Sequence, residues 1–85
     1  MNISRCRFMP PIREKEIAEC LVIINGIIMI NVSIYRNQNI RLKESVLEVK
    51  WPMDVLILDE YSRRCLDNEI LDRYSEWRYE ENENL

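Results

Sequence analysis

The dipeptide Asn25-Gly26 sits inside "CLVIINGIIMINVSIY", residues 20–35, where twelve of sixteen residues are apolar. Asn-Gly between apolar runs is the strongest short hairpin signal, because a two-residue type I′ turn needs positive φ at both central positions. The stretch therefore reads as two antiparallel strands rather than a helix. It does not read as a membrane span: it is shorter than the ~20 residues required and is interrupted by Asn25, Gly26, Asn31 and Ser33. A two-residue turn sets Ile24 opposite Ile27 and Ile23 opposite Ile28. One face then collects Leu21, Ile23, Ile28, Ile30, Val32 and Ile34, the predicted core. The other collects Cys20, Val22, Ile24, Ile27 and Met29 before Asn31 and Ser33 make it polar. An antiparallel sheet ordinarily has one dry face and one wet face. The apolar part of the second face, Val22, Ile24, Ile27 and Met29, is therefore expected to meet a second subunit or a partner.

The remaining segments fit around this hairpin. "NISRCRF" (2–8) reads as a first strand, ended by Met9-Pro10-Pro11 because proline cannot donate to a ladder. "IREKE" (12–16) is a charged connection and "RNQN" (36–39) a turn cluster. "SVLEVKW" (45–51) alternates, with Leu47, Val49 and Trp51 on one face and Val46, Glu48 and Lys50 on the other. Pro52 closes it, and "VLIL" (55–58) is either a fifth strand or an extended approach to a helix. Asp59 is a good N-cap and Glu60 suits the first turn. Leu66, Ile70, Tyr74 and Trp77 then form one apolar stripe of a helix running from Glu60 to about Arg78. Leu71 lies off that stripe. The predicted fold is α+β: a twisted antiparallel sheet of four to five strands with one long C-terminal helix packed on one face. It occupies residues 1–79 as a single domain, followed by an acidic, disordered tail at 80–85.

The composition narrows the chemistry. The 85-residue chain has no histidine, which removes the commonest general base and metal ligand. It has no glycine-rich phosphate loop and no nucleophile–base pair, so it is not expected to be an enzyme. Cys6, Cys20 and Cys65 are odd in number and lack CxxC spacing, so neither a disulfide framework nor a zinc site is expected. They read as buried thiols of a cytoplasmic protein. Asp54 and Asp59-Glu60 lack a third ligand of defined spacing, so no metal and no cofactor is expected. No signal peptide is visible in "MNISRCRFMPP". Residues 1–58 carry eight Lys/Arg against six Asp/Glu, and residues 59–85 four against nine. A small core of this size would gain from a partner subunit.

The order of elements and several residues resemble the SpoVG family (stage V sporulation protein G, or septation protein) of small bacterial proteins. "ISRCRF" is similar to the family's opening strand with interleaved arginines. "IAECLVIINGIIMINVSIY" lies where the family has an alanine-led hairpin and a following strand. "VLEVKWP" is similar to its proline-ended strand, and Arg63, Leu66, Ile70, Leu71 and Tyr74 fall on its helix positions. The resemblance covers roughly residues 3–78. It implies a homodimer formed through the sheets and a regulator that binds DNA or RNA. One segment departs from the family: Pro52 is followed by Met53-Asp54 and then at once by "VLIL", without the family's polar, basic loop.

The cations Arg5, Arg7, Arg36, Arg41, Lys43, Arg63 and Arg64 are the candidate nucleic-acid contacts, acting mainly on phosphates. Arg13 and Lys15 lie close behind Arg5 and Arg7 in sequence, and the alternative for all these cations is a solvated mixed surface interleaved with Glu14, Glu16 and Glu44. Trp51 and Tyr74 are assigned to the core, and Cys65 to a buried place beside the helix stripe. The alternative function is a protein-interaction module, or an inhibitor carried by a mobile element, built on the same scaffold without nucleic-acid binding.

Overall fold

In the computed structural model, residues 2–39 and 44–83 are described. Four strands, β1 (Ile3–Met9), β2 (Glu16–Ile24), β3 (Ile28–Asn39) and β4 (Glu44–Lys50), precede one helix, α1 (Glu60–Glu83). The strands form a single antiparallel sheet in the order β1-β2-β3-β4. This is the expected α+β architecture. "VLIL" is the extended approach to the helix and not a fifth strand. "RNQN" is not a turn: Arg36 to Asn39 continue β3 and pair with β4.

The turn has the expected conformation but not the expected register. Asn25 and Gly26 have φ of 55° and 71°, and the Ile27 amide donates to the Ile24 carbonyl at 3.1 Å. Pairing then resumes at Ile24↔Ile28, so Ile27 is an extra residue. Because side chains alternate with period two, one extra residue exchanges the faces of β2. The rows on the helix side are Ile3–Ile24–Ile28, Cys6–Val22–Ile30, Phe8–Cys20–Val32 and Ala18–Ile34–Val49. Val22 and Ile24, expected at a subunit contact, are therefore core residues. Leu21 and Ile23, expected in the core, lie half-buried on the opposite face. Ile27 and Met29 are exposed.

Helix α1 closes the core with Leu66, Ile70 and Tyr74 buried and Trp77 packed against them. Asp59 caps it: its carboxylate accepts the Ser62 amide at 3.3 Å and the Ser62 hydroxyl at 2.5 Å. Aromatic and hydrogen-bonded ties fix the helix to the sheet. Phe8 of β1 meets Tyr74 edge-on at 5.7 Å and stacks on Trp77 at 5.6 Å. Past the end of β4, Trp51 Nε1 donates to Asp67 Oδ1 at 2.7 Å. The helix passes the expected end near Arg78 and reaches Glu83, taking in most of the expected tail. Cys65 is exposed rather than buried, because it lies about 100° round the helix from Leu66. No helix among the described residues is long and apolar enough to cross a membrane.

Candidate functional site

The helix covers one face of the sheet and leaves the other open. Successive rows of that open face are Arg5–Ile23–Met29, Arg7–Leu21–Asn31 and Met9–Glu19–Ser33–Lys50, followed by Tyr35–Glu48. Arg5 and Arg7 are exposed on the edge strand, opposite half-buried Ile23 and Leu21. At the other edge, the Lys50 ammonium lies 5.3 Å from the centre of the Tyr35 ring. A groove of about 530 Å³ runs between Arg13 and Lys50, floored by Asn31, Ser33 and Tyr35 and closed by Trp51, Pro52 and Met53.

Beneath the Arg13 side of this groove lies a feature that the sequence pattern concealed. The β2–β3 register shifts between Glu16 and Ala18. The bulge brings Glu16 onto the same face as Glu19, and bulges re-aim side chains in this way. Glu19 is 1% exposed and Glu16 7%. Each carboxylate has one oxygen tied down. Glu16 Oε2 accepts the backbone amides of Ile12 (2.7 Å) and Arg13 (3.2 Å), and Glu19 Oε2 accepts the Ser33 hydroxyl at 2.7 Å. The turn that delivers Arg13 is strained, because Lys15 holds a φ of 71°, a left-handed conformation costly to a side chain with a Cβ. Burial pushes the Glu16 pKa up. Hydrogen bonds from the Ile12 and Arg13 amides, with the Ser33 hydroxyl nearby, outweigh it and hold the carboxyl below its ordinary value.

The candidate phosphate contacts do not converge on one surface. Arg5 and Arg7 share the open face. Arg63 and Arg64 are exposed on the helix, in the layer on the other side of the sheet, where Arg63 pairs loosely with Asp67 at 3.9 Å. Arg36 is exposed opposite Leu47, on the helix-side face of β3. Arg41 and Lys43 lie outside the described residues. Lys50 joins Arg5 and Arg7 on the open face and was missed in the sequence, where it reads only as the polar half of a strand. Arg13, Glu16 and Glu19 were missed because a run of alternating charge looks like a solvated surface. Position 19 inside an apolar strand was the available signal.

A second cluster lies on the helix side of β1. The Cys6 thiol is in contact with the thiol of Cys20 and with Arg73, whose guanidinium also donates to the Ile3 carbonyl at 3.0 Å. The hydrogen bond from Cys20 is the largest cause of a Cys6 pKa lowered to about 7, against the opposing effect of burial and with help from Arg73. Cys20 moves the other way, raised by its bond to Cys6 and by burial. Among the described residues, no group of three or more His, Cys, Asp or Glu side chains could hold a metal ion. No protein-family model, curated protein or solved structure matches this chain.

Proposed function

We propose that this chain is a small, non-catalytic, SpoVG-like regulator of the cytoplasm that binds DNA or RNA through phosphate contacts on the open face of its sheet. The charge of that face carries the reading. In a chain of net charge −3, the exposed ionic residues of the paired open-face rows, among the side chains described, are Arg5, Arg7 and Lys50 against Glu48. Glu48 already accepts a hydrogen bond from the Asn37 side-chain Nδ2 at 2.9 Å. Such a face attracts a polyanion and releases its counterions, so affinity should fall steeply with salt. Tyr35 adds a ring on which a base can stack. The resemblance in the order of strands and helix supports the same reading.

Fluorescence anisotropy with labelled DNA and RNA at two salt concentrations tests it. Wild-type protein should bind more weakly at the higher salt, the Arg5→Glu/Arg7→Glu variant should lose binding, and Arg63→Glu/Arg64→Glu should retain most of it. Equal affinity of wild type and Arg5→Glu/Arg7→Glu would remove the open face from the reading.

One observation favours a second reading, a protein-interaction module. Met53, Leu56, Leu58 and Tyr61 are all exposed within nine residues, Leu58 at 88%, and apolar side chains clustered at a surface mark interaction sites. A homodimer formed there or through Ile27 and Met29 would sediment at twice the monomer mass, and Leu58→Glu or Ile27→Glu would identify which surface is used.

A further inference from the structure

Glu16 and Glu19 place two carboxylates in a buried site with one cation, and that cation is poorly seated. A carboxylate–guanidinium pair normally forms a fork of two bonds of about 2.7–2.9 Å. Here a single nitrogen, Arg13 Nη1, serves three oxygens at long range: Glu19 Oε1 at 3.4 Å, Ser33 Oγ at 3.5 Å and Glu16 Oε1 at 3.6 Å. Glu16 Oε1 is buried and has no hydrogen-bond partner. The Arg13 side chain is 65% exposed while those of Glu16 and Glu19 are 0% and 1% exposed. The acids are thus fixed and the cation is free to leave.

We propose that Glu16, Glu19 and Ser33 form a binding site for a calcium-class divalent cation, whose position Arg13 Nη1 holds. The three oxygens around that nitrogen come from three rigidly held groups. Glu16 is oriented by the two backbone amides, the kind of outer support that fixes metal ligands, and Glu19 is tied to Ser33 within the site. Two carboxylates neutralise one divalent ion, whereas with Arg13 they retain one excess negative charge. Contraction by about 1 Å brings the oxygens to calcium distances. Calcium tolerates irregular oxygen cages better than magnesium and completes its shell with water. The groove between Arg13 and Lys50 reaches Ser33, and an ion reaches the two carboxylates only when Arg13 swings away. None of these ligands is a cation assigned to nucleic acid, so the site stands apart from the reading above.

The competition between Arg13 and the ion gives the test. Calorimetric titration of the full chain with calcium chloride should show one ion bound about tenfold more tightly by Arg13→Ala than by wild type, in the weak range expected of few ligands. Calcium should also raise the melting temperature of Arg13→Ala, and adding Glu19→Gln should abolish both effects. Absence of heat and of any melting shift in Arg13→Ala at about 10 mM calcium overturns the proposal. So does recovery of Arg13→Ala stability at about pH 5 without any response to calcium, because the pair would then hold a proton instead. Should Arg13→Ala fail to fold, manganese paramagnetic resonance on wild type decides. One bound ion that is lost in Glu19→Gln supports the site, and none bound overturns it.

Discussion

On the helix side, the sheet presents Ile3, Ile24 and Ile28 in one row and Phe8, Cys20 and Val32 in another, apolar from edge to edge. On the open side, the neighbouring rows run Arg5, Ile23, Met29 and Met9, Glu19, Ser33, Lys50. The strands are the same and the residues differ by one position. The covered face excludes water with side chains that need no partner. The open face buries charge, so each buried atom there needs a specific counterpart. A face built on apolar contact tolerates few polar insertions but many apolar rearrangements. A face built on paired charge is weakened by loss of a single partner. That asymmetry places the core on one side and the ligand chemistry on the other.

The comparison is broken most directly by neighbouring residues of one strand. Val22→Asp buries an unpaired carboxylate under the helix and should cost about 4 kcal/mol or more, enough to unfold a small domain. Ile23→Asp, on the open face, should cost about 1 kcal/mol. Urea denaturation midpoints measure both, and equal losses would contradict the register. The thiols sharpen the covered face. Alkylation of Cys6 should show an inflection near pH 7, whereas Cys20, buried and raised in pKa, should react only on unfolding. Arg73→Leu removes a cation that favours the thiolate and should move the Cys6 inflection upward. Mass spectrometry of timed alkylation separates the sites.

Acid sharpens the open face. The folded pKa of Glu16 lies below its unfolded value. Its contribution is therefore fully present above the unfolded pKa of about 4.3 and is lost as pH falls through the folded one. Stability of wild type relative to Glu16→Gln should accordingly shrink below about pH 4.5, as read from denaturation at a series of pH values. The smallest effect is local. Lys15→Gly relieves the left-handed strain at a φ of 71° and should raise stability by about 0.5 kcal/mol, offset in part by the greater freedom of glycine in the unfolded chain. A loss of stability on that substitution would mean that the Lys15 side chain contributes more than its backbone strain costs.

The hairpin, the alternation of β4, the Asp59 cap and the stripe Leu66, Ile70, Tyr74 and Trp77 were legible because each is a local pattern. Asn25-Gly26 adopts positive φ for reasons confined to two residues, and Asp59 bonds Ser62 three residues away. The polar run 36–39 was misread because its strand depends on a partner: Asn37 and its neighbours extend β3 only because β4 lies alongside. The candidate site was less legible than the fold. Arg5 and Arg7 alternate visibly, but Arg63 and Arg64, adjacent in any list of cations, belong to another layer.

The sequence by itself determined that a hairpin would form at residues 25–26, that apolar alternation would build strands and that a capped amphipathic helix would close the chain. Only the tertiary structure decided which face of β2 is the core and that Glu16 and Glu19 meet. Both decisions rest on single extra residues, at Ile27 and at the bulge between Glu16 and Ala18. Strand periodicity is two, so one residue inverts a face. Local propensity scarcely distinguishes the two registers. The helix does, because the observed register places Ala18, Cys20, Val22 and Ile24 beneath Leu66, Ile70 and Tyr74, whereas the other would turn Glu19 into that apolar layer.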